Sequence, residues 1–389
     1  MMSNFSRNIK LLTAGRVISS IGFSSTIPFL AVYLSVERNV SLIVVGAMYL
    51  VQGVAGILSM TLSGFVSDKI GPRRTMLIGY LFSLLSSLIL AFLVYFNINP
   101  LIIIITYPVF SFLRGFSITP TATLAADEKT DVITNFSLLV MAGNLGFAIG
   151  PAIGGFVVSL ADYAALFFLN SVFTLASAVL AVLTVEGTYH LAREKEKAKP
   201  DIATATFLLL TFLGFIVIGQ DVEPFAIYSS KVIHVSNLII GYLFSFSGAM
   251  IVAMQIPAMT VLRRYGIYAC LIIGCTLGAL ASVVIAAATN ELHLLIGMAI
   301  ITLAEIFLTV PSQVWITLRS PGSRKGAYQG YYSSIRTSGR SAAAWLGSTM
   351  MGIFVYPHNS WYVVSMISLL TGIAFLYHER LFAKKANST

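Results

Sequence analysis

Seven ionisable residues of this chain fall inside long apolar stretches: Arg16, Arg114, Arg336 and Arg340, against Asp221, Glu223 and Glu305. At roughly 2.5–3.5 kcal/mol for each charge at the centre of a membrane-spanning helix, seven unpaired charges would cost about 20 kcal/mol. That exceeds the roughly 5–15 kcal/mol by which folded proteins are stable, so these groups must be paired, hydrated or protonated. Burial favours the neutral form of a carboxyl group and a nearby guanidinium favours the ionised form. A carboxylate whose arginine partner comes and goes with conformation can therefore bind and release a proton. Glu305 is the leading candidate, because it lies mid-stretch and shares a helix face with Thr309, with Ser312 a turn further on. Asp221 is the second candidate, and Glu223 accompanies it. Two residues apart, they point about 200° apart around a helix. One would face a cavity and the other the extracellular mouth, and spacing alone leaves open which. Pro224 removes a backbone donor beside them, so a broken turn is expected there.

Gln329, Ser333, Arg336 and Arg340 follow at spacings of four, three and four, which places them on one helix face able to line water or a substrate. Either arginine suits Glu305 as a counter-ion. Together with Arg114, Thr309, Gln52, Asn144 and Gln255 they form the set of candidate cavity residues. Arg16 lies a few residues into its stretch, where a long side chain can also snorkel to the surface. All five histidines fall in loops or at helix ends, and Cys270 and Cys275, five apart, face different directions. No metal site, disulfide or cofactor is expected.

The elements that carry these groups follow from composition. Of 389 residues, 57% are hydrophobic and only 10% charged, against roughly 25% charged in soluble domains. A soluble enzyme is excluded. Twelve apolar stretches reach bilayer-spanning length: 11–34, 42–63, 76–96, 101–126, 136–160, 164–185, 205–228, 238–262, 268–288, 292–318, 327–355 and 361–382. Sorting the 24 Lys and Arg residues by side puts eighteen on one face, among them Lys69, Arg73, Arg74, Lys129, Arg263, Arg264 and Arg319. Only Arg38 and Lys231 lie on the other. The positive-inside rule then places both termini in the cytoplasm and requires an even number of spans. The net charge of +9 reflects this asymmetry and not a nucleic-acid partner. The longest hydrophilic interruption contains the alternating charges Arg193 to Lys197. It suggests an N-terminal six-helix bundle at 1–185, a cytoplasmic linker at 186–203 and a C-terminal six-helix bundle at 204–389. A shift of 195 residues aligns Gly71 with Gly266, each in a basic turn, as two pseudo-symmetric halves require.

The string Gly64-Phe65-Val66-Ser67-Asp68-Lys69-Ile70-Gly71-Pro72-Arg73-Arg74 closely resembles the signature loop of the major facilitator superfamily. Physically, Gly64 permits close helix approach, Gly71 permits a turn, and Asp68 can hold helix N-termini or an arginine. The loop at 262–268 keeps Arg263, Arg264 and Gly266 but no acid. Between spans 4 and 5 the match varies. Where the family shows an arginine four residues before Gly115, this chain has Ser111, with Arg114 about one turn later. Gly143, Gly146, Gly150, Pro151, Gly154 and Gly155 resemble the glycine-proline motif of the family's antiporter branch, especially its 12-span drug:proton antiporters.

The resemblance implies an all-α membrane protein of 12 transmembrane helices in the major facilitator fold. It also implies a secondary transporter working by alternating access, with Asp68 as a conformational latch. The leading expectation is a monomeric, proton-coupled antiporter in the plasma membrane that exports amphipathic, drug-like small molecules. The alternative is a proton-linked carrier of a small organic anion, since four in-span arginines outnumber three acids and a guanidinium suits a carboxylate or phosphate. The first span lacks the acid that several drug:proton antiporters carry, which directs the search for a coupling site to the second half. A membrane-embedded enzyme is disfavoured by the absence of a zinc-ligand histidine pair, nucleophile elbow or P-loop.

Overall fold

In a bilayer, backbone N–H and C=O groups have no water to bond, so apolar runs of this length close into helices that satisfy their own peptide groups. The computed structural model describes residues 6–126, 132–184, 200–320 and 325–386. Most of the expected linker, including Arg193 to Lys197, lies outside the described residues, as do Lys129 and Arg324. Among the described residues every regular element is a helix: α1 Arg7–Val32, continued by a wider turn at Tyr33–Glu37, α2 Leu42–Ile70, α3 Pro72–Tyr95, α4 Pro100–Ala126, α5 Val132–Leu160 and α6 Tyr163–Val182. They continue with α7 Ile202–Ile218, a tight turn at Gly219–Asp221, α8 Glu223–Lys231, α9 Asn237–Tyr265, α10 Ile267–Ala286, α11 Glu291–Arg319, α12 Lys325–Ile353 and α13 Asn359–Ala386. Helix starts are set by side-chain caps. Ser6, Asp162, Asp201 and Asn290 each accept a hydrogen bond from the N–H three residues on, satisfying a donor with no partner inside the helix.

Eleven helical stretches among the described residues are long and apolar enough to cross a membrane. The expected twelfth, α12, has 29 residues but is too polar to qualify by composition, because it carries the Gln329–Arg340 face on a span whose polar side must find protein or water. Large apolar side chains such as Ile105, Leu160, Ile256 and Leu318 are exposed, as they would be against lipid. Cys270 and Cys275 are buried and unpaired.

The chain divides into two compact units. The first comprises Met1–Val40, Val51–Lys195 and Ser236–Gly248, and the second Ser41–Leu50, Glu196–Val235 and Ala249–Thr389. Each repeats one packing scheme: α1 lies against α5 and α6 and α3 against α4 and α6, just as α7 lies against α12 and α13 and α10 against α11 and α13. The α1–α5 seam is where most of the α5 glycines go. A Cβ at Gly146 would strike Ser20 and Ile21 of α1, one at Gly150 would strike Ser24, and one at Gly154 would strike Ser25 and Phe29. Gly155 instead faces Asn237 and Gly241 of α9. In the second unit the core gathers Phe207, Phe215, Leu271, Leu308, Tyr332 and Phe375, with Phe207 stacked on Trp315 at 3.8 Å between centroids. At the start of α7, Asp201 pairs with Arg319 at 2.7 Å. Partial burial alone would raise its carboxyl, but the hydrogen bonds from Thr204 and Arg319 outweigh this and hold it at about 2, so this pair stays ionised at any physiological pH.

The signature loop departs from expectation in one respect. Among the described residues a Cβ at Gly64 would meet nothing within 4 Å, so the close approach expected there is not made with any of them. Gly71 has φ 89° and ψ 147° and caps α3, and Gly266, 195 residues on, has φ 84° and ψ 175° and caps α10. Both occupy a region open essentially to glycine, where a side chain costs about 1–3 kcal/mol. Gly71→Ala should therefore lower the thermal stability of detergent-purified protein by that amount. Gly64→Ala, mid-helix and unhindered, should leave it equal or slightly raised. Equal effects of the two would mean that Gly71 is not held by its backbone. Arg73 donates to the carbonyl of Val182 at 2.6 Å, tying the start of α3 to the last turn of α6, where a cation complements the helix dipole.

Candidate functional site

In the second unit the run 202–231 cannot stay helical throughout. Gly219 is a poor helix former, Val222 has φ −107° and ψ −94°, and Pro224 sits in the first turn of α8, where its missing N–H is not needed. The break therefore lies at 219–222, just ahead of the proline. It packs directly on α12: a Cβ at Gly219 would come within 2.8 Å of Ala343 and 2.9 Å of the Arg340 Cα. Gln220 fastens it by donating to the carbonyls of Ala343 and Ile216, both at 3.1 Å, and Gly347 leaves room for the Gln220 side-chain oxygen.

Held this way, Asp221 presents its carboxylate to Arg340 at 3.4 Å. From α11, Glu305 bonds the other terminal nitrogen of the same guanidinium. One arginine thus serves two carboxylates, and the three side chains are 28%, 9% and 14% exposed for Arg340, Asp221 and Glu305. With both acids ionised the cluster would hold two negative charges against one positive, so one proton would balance it. Protonation of either acid would free part of the guanidinium for another partner. Beside it, the Thr309 hydroxyl and the Arg340 Nε are buried without a hydrogen-bond partner among the described residues, while the Tyr332 hydroxyl donates to the Thr309 carbonyl at 2.9 Å.

Glu223 is half-buried and makes no ion pair among the described residues, but it lies within electrostatic reach of Arg340 and Asp221. Other expected residues stand apart from this cluster. Arg336 and Ser333 are exposed, so of the two arginines on that face only Arg340 meets Glu305. Gln329 donates to Thr317 at 2.7 Å, and Gln255 and Asn144 are exposed. Spacing did not single out Gln220, although an amide beside an acid at the end of the apolar run 207–218 is the signal that marks it.

The first unit holds a separate cavity of about 60 Å³. Arg114 of α4 and Arg16 of α1 both line it, with Tyr80, Tyr107, Phe23 and Asn170. Arg16, which snorkelling could have taken to the surface, instead faces inward beside Gly143. Ser111 lines the same wall and accepts from Gln52 at 3.3 Å. In the signature loop, Asp68, Lys69 and Arg74 are exposed.

The sequence pattern of the Major Facilitator Superfamily matches residues 12–344. The chain belongs to that superfamily. This superfamily member is 24% identical over 395 residues to an uncharacterized MFS-type transporter, YttB, of Bacillus subtilis (strain 168), covering 97% of each chain. It is 27% identical over 171 residues to a multi-drug resistance efflux pump PmrA homolog of Lactococcus lactis subsp. lactis (strain IL1403), which covers 42% of this chain and 40% of that one. Among solved structures, the nucleoside transporter NupG aligns with a TM-score of 0.75 at 15% identity over 96% of this chain and 99% of that one. The peptide transporter POT in complex with sulfate aligns with a TM-score of 0.79 at 14% identity, covering 97% and 95%. The fold is the major facilitator fold, and the protein is a multi-pass membrane transporter of small molecules and not an enzyme.

Proposed function

We propose that this transporter is a proton-coupled antiporter that exports amphipathic small molecules, acting as a monomer in the plasma membrane with both termini in the cytoplasm. The observation that carries the reading is the Arg340 guanidinium shared by Asp221 and Glu305. Two nearby carboxylates on one cation have a reason to hold a proton in one conformation and release it in another, when a change in packing or hydration alters the pairing. The helix break at 219–222 supplies a joint beside the cluster that can absorb such a change. The partial likeness to an efflux pump homolog and the glycine-proline pattern of α5 support the direction of transport.

The test uses purified protein in liposomes, a panel of fluorescent amphipathic probes and an imposed pH gradient. The parent should move at least one probe against its gradient only while the pH gradient lasts. Glu305→Gln, which mimics the protonated acid, should lose that uphill transport about tenfold or more while keeping probe exchange. Uphill transport by Glu305→Gln with the parent's dependence on the pH gradient would remove Glu305 from the coupling step. Parent transport indifferent to the gradient would remove proton coupling altogether.

A further inference from the structure

The first-unit cavity contains two fixed cations and no acid. None of its lining residues is Asp or Glu, and among the described residues no carboxylate lies within ion-pair distance of Arg16 or Arg114. This contrasts with the second unit, where two acids surround Arg340. Two guanidiniums facing one confined space without an anion repel each other and lack a charge-assisted partner, which an oxyanion would supply. Arg114 is also steadied: its Cζ lies over the Phe23 ring, 3.2 Å from the centroid, a cation–π contact that uses the face of the guanidinium and not its in-plane N–H donors. The walls add neutral donors. The Ser83 hydroxyl there is buried with no partner among the described residues, and Tyr80, Tyr107 and Asn170 also line the space, with Asn170 donating to Ser87 at 2.9 Å. About 60 Å³ takes a few waters or one compact head group, not a whole drug-sized molecule.

We infer that this cavity is a binding subsite for the oxyanion head group (carboxylate, sulfonate or phosphate monoester) of an amphipathic substrate, with Arg16 and Arg114 as its ligands and Phe23 holding Arg114 in place. The inference rests on the exporter reading for what happens after binding. The binding step itself is measured without any proton gradient.

The experiment follows thermal shift and titration calorimetry of the detergent-purified full chain against matched probes that share one aryl-alkyl body. They end in a carboxylate, a sulfonate, a neutral amide or an ammonium. The anionic members should bind at least tenfold tighter than the amide, and the ammonium weakest. Arg114→Gln and Arg16→Gln should each erase most of that preference, and Arg114→Lys should keep part of it. The ligand series on the parent decides the matter even where an arginine variant fails to fold. Equal binding of anion, amide and ammonium, or no binding of any anion at millimolar concentration, overturns the proposal. Repeating the titration in nanodiscs of phosphatidylcholine and of phosphatidylglycerol separates a lipid from a soluble ligand. Competition by soluble anions in both supports the substrate assignment, and occupancy by phosphatidylglycerol that soluble anions cannot displace overturns it. Anion preference with no dependence of transport on a pH gradient would uphold this subsite while removing the antiporter reading, so the two fail independently.

Discussion

Arg340→Met is expected to abolish uphill transport and to destabilise the protein by about 3–5 kcal/mol, because it leaves two enclosed carboxylates facing each other with no cation. Asp221 comes from the turn after α7 and Glu305 from α11, and among the described residues they meet through this side chain. The loss therefore loosens the broken turn as well as unbalancing the charge. The mechanism has a second arm that a simple packing loss would not share. Adding Asp221→Asn and Glu305→Gln to Arg340→Met makes the cluster neutral, so thermal stability should return most of the way to the parent's while transport driven by a pH gradient stays absent. An unchanged melting temperature for Arg340→Met, followed by differential scanning fluorimetry in detergent, would show that the cluster is hydrated enough to dispense with its cation. Failure of the triple variant to recover would show that the arginine acts by volume and not by charge.

Gly146→Val should have an effect of similar size on folding alone. A Cβ at this position would lie 2.8 Å from the Ile21 nitrogen and 2.9 Å from the Ser20 carbonyl carbon, both backbone atoms that cannot rotate away. The same glycine's carbonyl accepts a hydrogen bond from Ser24 at 2.9 Å. Forcing α1 and α5 apart thus adds an unsatisfied pair to the overpacking, which commonly costs 1–3 kcal/mol by itself and occasionally more. The expected result is a several-fold fall in monodisperse protein after size-exclusion chromatography. Gly330→Val, at a glycine with nothing within 4 Å among the described residues, should show no such fall. Equal recovery of the two variants would mean that the α1–α5 seam can open without loss.

Some of this was legible from spacing and composition because its cause is local. A charge inside an apolar run is costly wherever the helix packs, so Arg114, Glu305, Asp221 and Arg340 stood out before any contact was known. Gly71 could be read as a turn because a basic, glycine-containing break between spans constrains only its own backbone, and Gly266 recurs at the same offset with the same positive φ. The fold class was legible for a related reason, since a bilayer leaves an apolar stretch little choice but a helix.

The pairings were decided elsewhere. Arg336 and Arg340 are one turn apart on the same face and equally suited to Glu305, and nothing in their spacing chooses between them. The choice falls to Arg340 because Gly219 lets the broken turn press against α12 at that level and Gln220 fastens it there, more than a hundred residues away in the chain. Gly64 and Gly146 look alike in sequence, yet among the described residues one meets no neighbour within 4 Å and the other touches a neighbouring backbone. Arg16 gains its place beside Arg114 only because α1 packs along α5. Which residues are costly to bury can be read from the chain alone, since that cost belongs to each residue in its own helix. Which partners relieve the cost is set by packing, since it depends on helices distant in the chain meeting at one depth and one rotation.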